Sequence, residues 1–259
     1  MDTPKKLPTI KSLILETWET YISRFNLWRW FIFWQIILLG LQQVITETLD
    51  FALPVEMLFF SFILVTGVFL SSWLSIGVIL GTVEDQSFTN LMSKARLKLG
   101  QYFRQILIIF LVEIGGFALF VIPGIFLAVA LSFVGVVLVL ENISGFNAIY
   151  KSREYVRGYW WKVFSRMFVI GVPTLLLLAA FFIIGKDYQI IFNALQIALS
   201  AFLFPLEIIY IVKLYQQLKN VGRSPQVEIS RRFRILIRLC FFLGIIIAGI
   251  SLLATSFSR

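Results

Sequence analysis

Residues 106–140 read ILIIFLVEIGGFALFVIPGIFLAVALSFVGVVLVL, 35 positions with Glu113 as their single charged side chain. One helical span needs about 20 apolar residues to cross a hydrocarbon core ~30 Å thick. The stretch is therefore too long for one ordinary span. Pro123 ends a helix and Gly124 permits a tight turn, so the spacing predicts two spans closing as a hairpin at Pro123-Gly124. A re-entrant pair that never fully crosses is the alternative.

Working outward from this hairpin, whose two arms are 105–122 and 124–141, five further apolar stretches give spans at 27–46, 56–82, 163–185, 189–212 and 234–256. Composition agrees with lipid as the solvent. The chain is 59% hydrophobic and 14% charged, with 27 Phe. A soluble domain is nearer half apolar and about 25% charged. The fold expected is an all-α polytopic transmembrane helix bundle of about seven spans with cytoplasmic amphipathic interfacial helices. The first 26 residues lack an early apolar core and cleavage site, so the first span is expected to act as an uncleaved insertion signal.

The charges test the span count independently. The segment before span 1 holds Lys5, Lys6, Lys11 and Arg24, with Arg29 just inside the span. The loop after span 2 holds Lys94, Arg96, Lys98 and Arg104. The loop after span 4 holds Lys151, Arg153, Arg157, Lys162 and Arg166. The loop after span 6 holds Lys213, Lys219, Arg223, Arg231, Arg232, Arg234 and Arg238. Together these are 21 of the 23 Lys and Arg, leaving Lys186 and Arg259. The connection between spans 1 and 2 is acidic instead, with Glu47, Asp50 and Glu56. Basic residues accumulate on the cytoplasmic side, so the alternation predicts an N-terminus inside and a C-terminus outside. It also accounts for the formal charge of +9 without nucleic acid. With no His and one Cys, Cys240, imidazole metal sites, His-based proton transfer and an intrachain disulfide are excluded. Neither a cofactor nor a metal is expected.

Three basic segments read as amphipathic helices lying in the interface. The first, within 1–26, places Ile10, Leu13, Ile14, Trp18, Tyr21, Ile22 and Phe25 at helical spacing. The others lie near 87–104 and 145–162. These two align at an offset of 58 residues, Phe88 with Phe146, Gly100 with Gly158, and Tyr102-Phe103-Arg104 with Trp160-Trp161-Lys162. Such a match suggests a unit of interfacial helix plus membrane hairpin, used three times. Aromatic belts produce similar endings without duplication. The chain then divides into the N-terminal helix 1–26, a six-span membrane domain 27–220, and a basic linker with a seventh span at 221–259.

The residues Pro123 and Gly124 at the hairpin, Glu141, and then Ala148, Ser152, Gly158, Trp160 and Trp161 resemble the membrane domain attached to some glycerophosphoryl diester phosphodiesterases and its stand-alone relatives. The resemblance covers roughly 10–220. It implies a six-span membrane module and a bacterial plasma membrane. It does not imply phosphodiester hydrolysis, because nothing soluble remains to form the phosphodiesterase domain and its histidines are absent.

Two intramembrane polar features stand out. Glu113 lies near the middle of span 3, where an ionisable group is costly. Asn193, Gln196, Ser200 and Glu207 share one face of span 6. A transport path is one meaning of that face. Hydrogen bonding between helices is the other, and the commoner. Glu207 lies close enough to the cytoplasmic end to reach Lys213. Motifs for phosphate loops, zinc ligation and serine nucleophiles are absent. The first expectation is thus a non-enzymatic module interacting with anionic lipid or scaffolding other proteins, with Arg153, Arg157, Lys162, Arg231, Arg232 and Arg234 as lipid contacts and self-association possible through small-residue faces such as Gly244-x3-Ala248. A transporter or channel using Glu113 and the span 6 face is the alternative. An intramembrane lipid-modifying enzyme comes last, since no nucleophile–base pair is visible.

Overall fold

A computed structural model of the chain describes residues 7–48, 54–184, 189–221 and 230–257. Ten helices carry them: α1 (Ile10–Ser23), α2 (Phe25–Thr48), α3 (Pro54–Val83), α4 (Phe88–Leu119), α5 (Val121–Leu131), α6 (Val134–Glu141), α7 (Phe146–Val156), α8 (Trp160–Ile184), α9 (Gln189–Asn220) and α10 (Arg231–Phe257). Among the described residues, five segments are long and apolar enough to cross a membrane: Ser61–Val83, Phe88–Leu119, Val121–Glu141, Phe192–Asn220 and Arg231–Ser251. Large apolar side chains such as Phe62, Phe120 and Ile122 are left exposed along these helices. Lipid can cover such surface and water cannot. The acidic connection around Asp50, the Lys186 connection, the linker around Arg223, Lys5, Lys6 and Arg259 lie outside the described residues.

The chain forms two compact units that interleave in sequence. One comprises the described residues of 8–99 and 166–214, the other those of 100–165 and 215–259. In this partition α10 groups with the central hairpin.

In the first unit, α1 starts at Thr9, whose hydroxyl accepts the Ser12 N–H. Leu13, Thr17 and Tyr21 are buried, while Ile14, Trp18, Ile22 and Phe25 stay exposed. Helices α1, α2, α3 and α9 meet in a core of Tyr21, Trp28, Phe31, Leu74, Val78 and Ile209, to which α4 adds Met92. Arg24, in the break between α1 and α2, donates to the carbonyls of Gly81 (2.7 Å) and Glu84 (3.0 Å). It thereby satisfies carbonyls that the end of α3 leaves without helical donors.

In the second unit the hairpin differs from expectation in two places. Its turn is at Phe120, which is extended between α4 and α5. Pro123 sits inside the first turn of α5, where no helical N–H is needed and proline fits. Gly124 is required for a different reason: a Cβ there would meet the Phe117 ring at 2.4 Å. The second difference is a break at Ser132-Phe133 that splits the expected fourth span into α5 and α6. The broken ladder is repaired from outside. Ser152 of α7 donates to the Ala130 carbonyl (2.7 Å) and accepts the Phe133 N–H (3.2 Å), with Ser152 fully buried. The segment around 87–104 is likewise not a separate interfacial helix, since α4 runs unbroken for 32 residues. At ~1.5 Å per residue that is about 48 Å, longer than the hydrocarbon core.

Helix α10 packs on α4 nearly backbone to backbone. A Cβ on Gly115 would lie 1.9 Å from the Cys240 carbonyl oxygen, and one on Gly244 would lie 2.0 Å from that of Leu111. These reciprocal glycines allow the close approach that small residues give to membrane helices.

Candidate functional site

Helix α7 carries basic side chains against the start of α10 in the second unit, and its glycines explain where it stands. Gly145 (φ +67°) leads into it and Gly158 (φ +83°) follows its end, both in backbone conformations that favour glycine. Ala148, Ile149, Ser152 and Val156 form its buried face. They pack on the α5–α6 break through Ser152, so these residues are spent on protein contacts.

Other positions of α7 bear Lys151 and Arg153, and Arg157 caps its end. The Arg153 guanidinium lies 3.6 Å from the ring centroid of Phe233 in α10, and Tyr150 meets the same ring edge-on. A cation over an aromatic face is attracted to the ring's negative side. This contact brings α7 to the start of α10, where exposed Arg231, Arg232 and Arg234 flank the buried Phe233. Burial, and then the neighbouring Arg157, lowers the pKa of Arg153, although guanidinium stays charged. Among the described residues no carboxylate pairs with Arg153, Arg157, Arg231 or Arg232. Like charges gathered without a counter-ion make a place for an anion, and guanidinium forks match phosphate oxygens. The remaining expected lipid contact, Lys162, is exposed and lies over the Tyr159 ring at 5.5 Å. It is not part of the group around Phe233.

A second constellation escaped the sequence argument as a cluster. The Glu141 carboxylate, at the end of α6, accepts hydrogen bonds from the hydroxyls of Tyr155 and Tyr215 and from Lys219 (3.3 Å). It ties α6 to α7 and α9. The residues lie 14, 74 and 78 positions from Glu141. Only their common expected position, at the cytoplasmic end, could have pointed to it. Three donors from two other helices converge on one of its oxygens, so it reads as a structural clamp.

The motif residues divide in the same way. Trp160 stacks on Phe126 and Phe164, and its indole N–H donates to the Phe126 carbonyl (3.4 Å). Trp161 is 74% exposed, so it is placed to meet lipid or headgroups. Pro123, Gly124, Ser152 and Gly158 all shape backbone, as described above.

The intramembrane residues are not brought together into one unit. Glu113 is half-buried in the second unit, two residues before the α4–α10 crossing at Gly115. Asn193, Gln196, Ser200 and Glu207 belong to the first unit. There Glu207 accepts from the Thr174 hydroxyl of α8 (2.6 Å). Lys213, its expected cationic neighbour, pairs with Glu16 of α1 instead (3.2 Å). Asn193 is buried, and Gln196 and Ser200 are half-buried. The Thr174–Glu207 bond is the kind of polar contact that joins membrane helices. Among the described residues no group of three or more His, Cys, Asp or Glu could hold a metal ion.

No family model, no curated protein and no solved structure matches the chain.

Proposed function

We propose that this chain is a non-enzymatic membrane module whose cytoplasmic arginines engage anionic phospholipid headgroups. The observation that carries the reading is the Arg153 guanidinium seated over the Phe233 ring, with Arg157 beside Arg153 and exposed Arg231, Arg232 and Arg234 adjoining Phe233 in sequence, and without a carboxylate to neutralise Arg153, Arg157, Arg231 or Arg232 among the described residues. A Lys or Arg near an anionic surface contributes about 1 kcal/mol. Arg153, fixed on Phe233, places α7 beside the basic start of α10 and supports a defined place for phosphate there.

The module has seven spans in this proposal, with α2 (24 residues) and α8 (25 residues) adding the first and fifth. Both exceed the ~20 residues needed to cross. Contacts inside each unit support the alternating topology. In the first unit, segments expected to be cytoplasmic meet one another: Arg24 at the end of α3, Lys94 with Glu84 (2.6 Å), Lys213 with Glu16. In the second, Tyr155 of α7 and Lys219 of α9 meet Glu141 at the end of α6, and Arg153 of α7 meets Phe233 at the start of α10. The exposed Ile14, Trp18 and Ile22 of α1, with Phe25 at the start of α2, support an interfacial helix on that side. The plasma membrane and the kinship with the phosphodiesterase-associated membrane domain belong to the same proposal, resting on the Pro123–Trp161 motif.

The test is the lipid retained by the full chain in detergent, read by native mass spectrometry. Replacing Arg157, Arg231, Arg232 and Arg234 together by Gln should lower the anionic lipid retained and leave zwitterionic lipid unchanged. An identical lipid complement in both proteins would sink the proposal.

A further inference from the structure

A groove of about 340 Å³ opens in the first unit between α2, α3 and the start of α4. Its walls are apolar: Trp34, Leu38 and Leu41 descend one face of α2, Leu74 lies on α3, and Phe88 and Met92 come from α4. The volume falls in the ~300–1,000 Å³ range of small-ligand sites. Several features distinguish it from ordinary lipid-facing surface. Trp73, also in the wall, has its indole N–H donated to the Met92 carbonyl (3.0 Å), so the wall is braced across two helices. Phe88 packs against the Trp30 ring (6.2 Å), and Arg29 lies over that same ring at 5.7 Å. Arg29 is exposed, and no carboxylate pairs with it among the described residues. It stands five residues before Trp34, about 7.5 Å along the helix. The order from Arg29 through Trp30 and Trp34 to Leu38 and Leu41 is cation, amphipathic ring, hydrocarbon.

We infer that this groove holds one acyl chain of an anionic membrane phospholipid whose phosphate is paired with Arg29. Charge complementarity selects the occupant. A wholly apolar ligand would leave Arg29 unused, and a soluble anion would leave the groove unfilled. The tryptophans suit the level where headgroup meets chain. The site shares with the proposed function a taste for anionic lipid but stands on different residues, in the other unit, and adds a seated acyl chain.

The experiment uses the full chain reconstituted with phosphatidylglycerol carrying a diazirine on one acyl chain, with the matching phosphatidylcholine as comparison. After illumination, cross-linked peptides are located by mass spectrometry. Adducts should concentrate on the α2 and α3 peptides that line the groove and favour phosphatidylglycerol. Arg29→Gln should lower the phosphatidylglycerol adducts there about fivefold, the factor one surface cation supplies, and Arg29→Lys should restore much of it. Leu41→Trp, which fills the lower groove from an exposed position, should lower the adducts of both lipids. Replacing Arg231 and Arg232 by Gln should leave the groove adducts unchanged, which separates this site from the cluster around Phe233. Adducts spread evenly over the lipid-facing helices, or indifferent to both Arg29→Gln and Leu41→Trp, would overturn the inference.

Discussion

The Ser152 hydroxyl donates to the Ala130 carbonyl at 2.7 Å, the acceptor that the Val134 N–H would use in an unbroken helix. The same oxygen accepts the Phe133 N–H at 3.2 Å. One side chain from α7 thus repairs both sides of a break inside an apolar hairpin. Ser152→Ala leaves two buried backbone groups without partners, each costing about 1–3 kcal/mol. The apparent Tm in detergent should fall by about 5 °C or more. Ser132→Ala serves as the control, because its hydroxyl only returns to the Val129 carbonyl in its own turn. Equal melting of the Ser152→Ala and Ser132→Ala proteins would mean that the break holds itself.

The crossing of α4 and α10 gives a second prediction with a built-in reporter. Gly115→Ala and Gly244→Ala drive a methyl group into a backbone carbonyl, which cannot yield without moving a helix. Overpacking of this kind costs about 1–3 kcal/mol. Cys240, fully buried and the sole thiol of the chain, sits in that contact. Its maleimide labelling should speed up in both variants. Gly40→Ala and Gly171→Ala, where a Cβ meets nothing within 4 Å, should label as slowly as the parent.

These two cases also mark what sequence could and could not reveal. Helix content, the basic alternation, and the starts of α4 and α7 at Phe88 and Phe146, 58 residues apart, were legible because periodicity and charge are local properties. The break at Phe133 was not. Nothing in Leu131-Ser132-Phe133-Val134 disfavours a helix, and the group that stabilises the break lies some twenty positions away. Pro123 misled in the opposite sense, since a breaker in mid-helix is harmless in a first turn. The Arg153–Phe233 contact and the Glu141 clamp were illegible for the same reason as the break: each joins helices far apart in sequence.

The clamp makes the chain sensitive to alkali. Burial, then the hydrogen bond to Glu141, raises the Tyr155 hydroxyl above the ordinary phenol value. A raised folded-state value means that the stabilisation is complete below the unfolded value, about 10, and is lost as pH climbs through the folded one. Apparent Tm should therefore drop more steeply above about pH 10 in the parent than in Tyr155→Phe, whose Tm starts lower by the lost hydrogen bond, about 1–2 kcal/mol. Parallel pH profiles for the two proteins would show that Tyr155 plays no part in the alkaline loss.

The topology itself is open to a direct check through Cys240. In a Cys240→Ser background, single cysteines at Glu19, Arg96, Arg157 and Lys219, all exposed, report one segment each. Every span pair between them returns the chain to the same side if α2 and α3, the α4–α5–α6 hairpin, and α8 and α9 each cross and come back. All four should react with an impermeant maleimide only in inside-out vesicles. The hairpin is the decisive member. If it were re-entrant, entering and leaving on one side without crossing, Arg96 and Arg157 would still label together. A cysteine at Phe120, 76% exposed at the turn, then separates the cases. It labels from the opposite side when α4 and α5 span the membrane. It stays silent to the impermeant reagent from both sides when the turn ends inside the hydrocarbon.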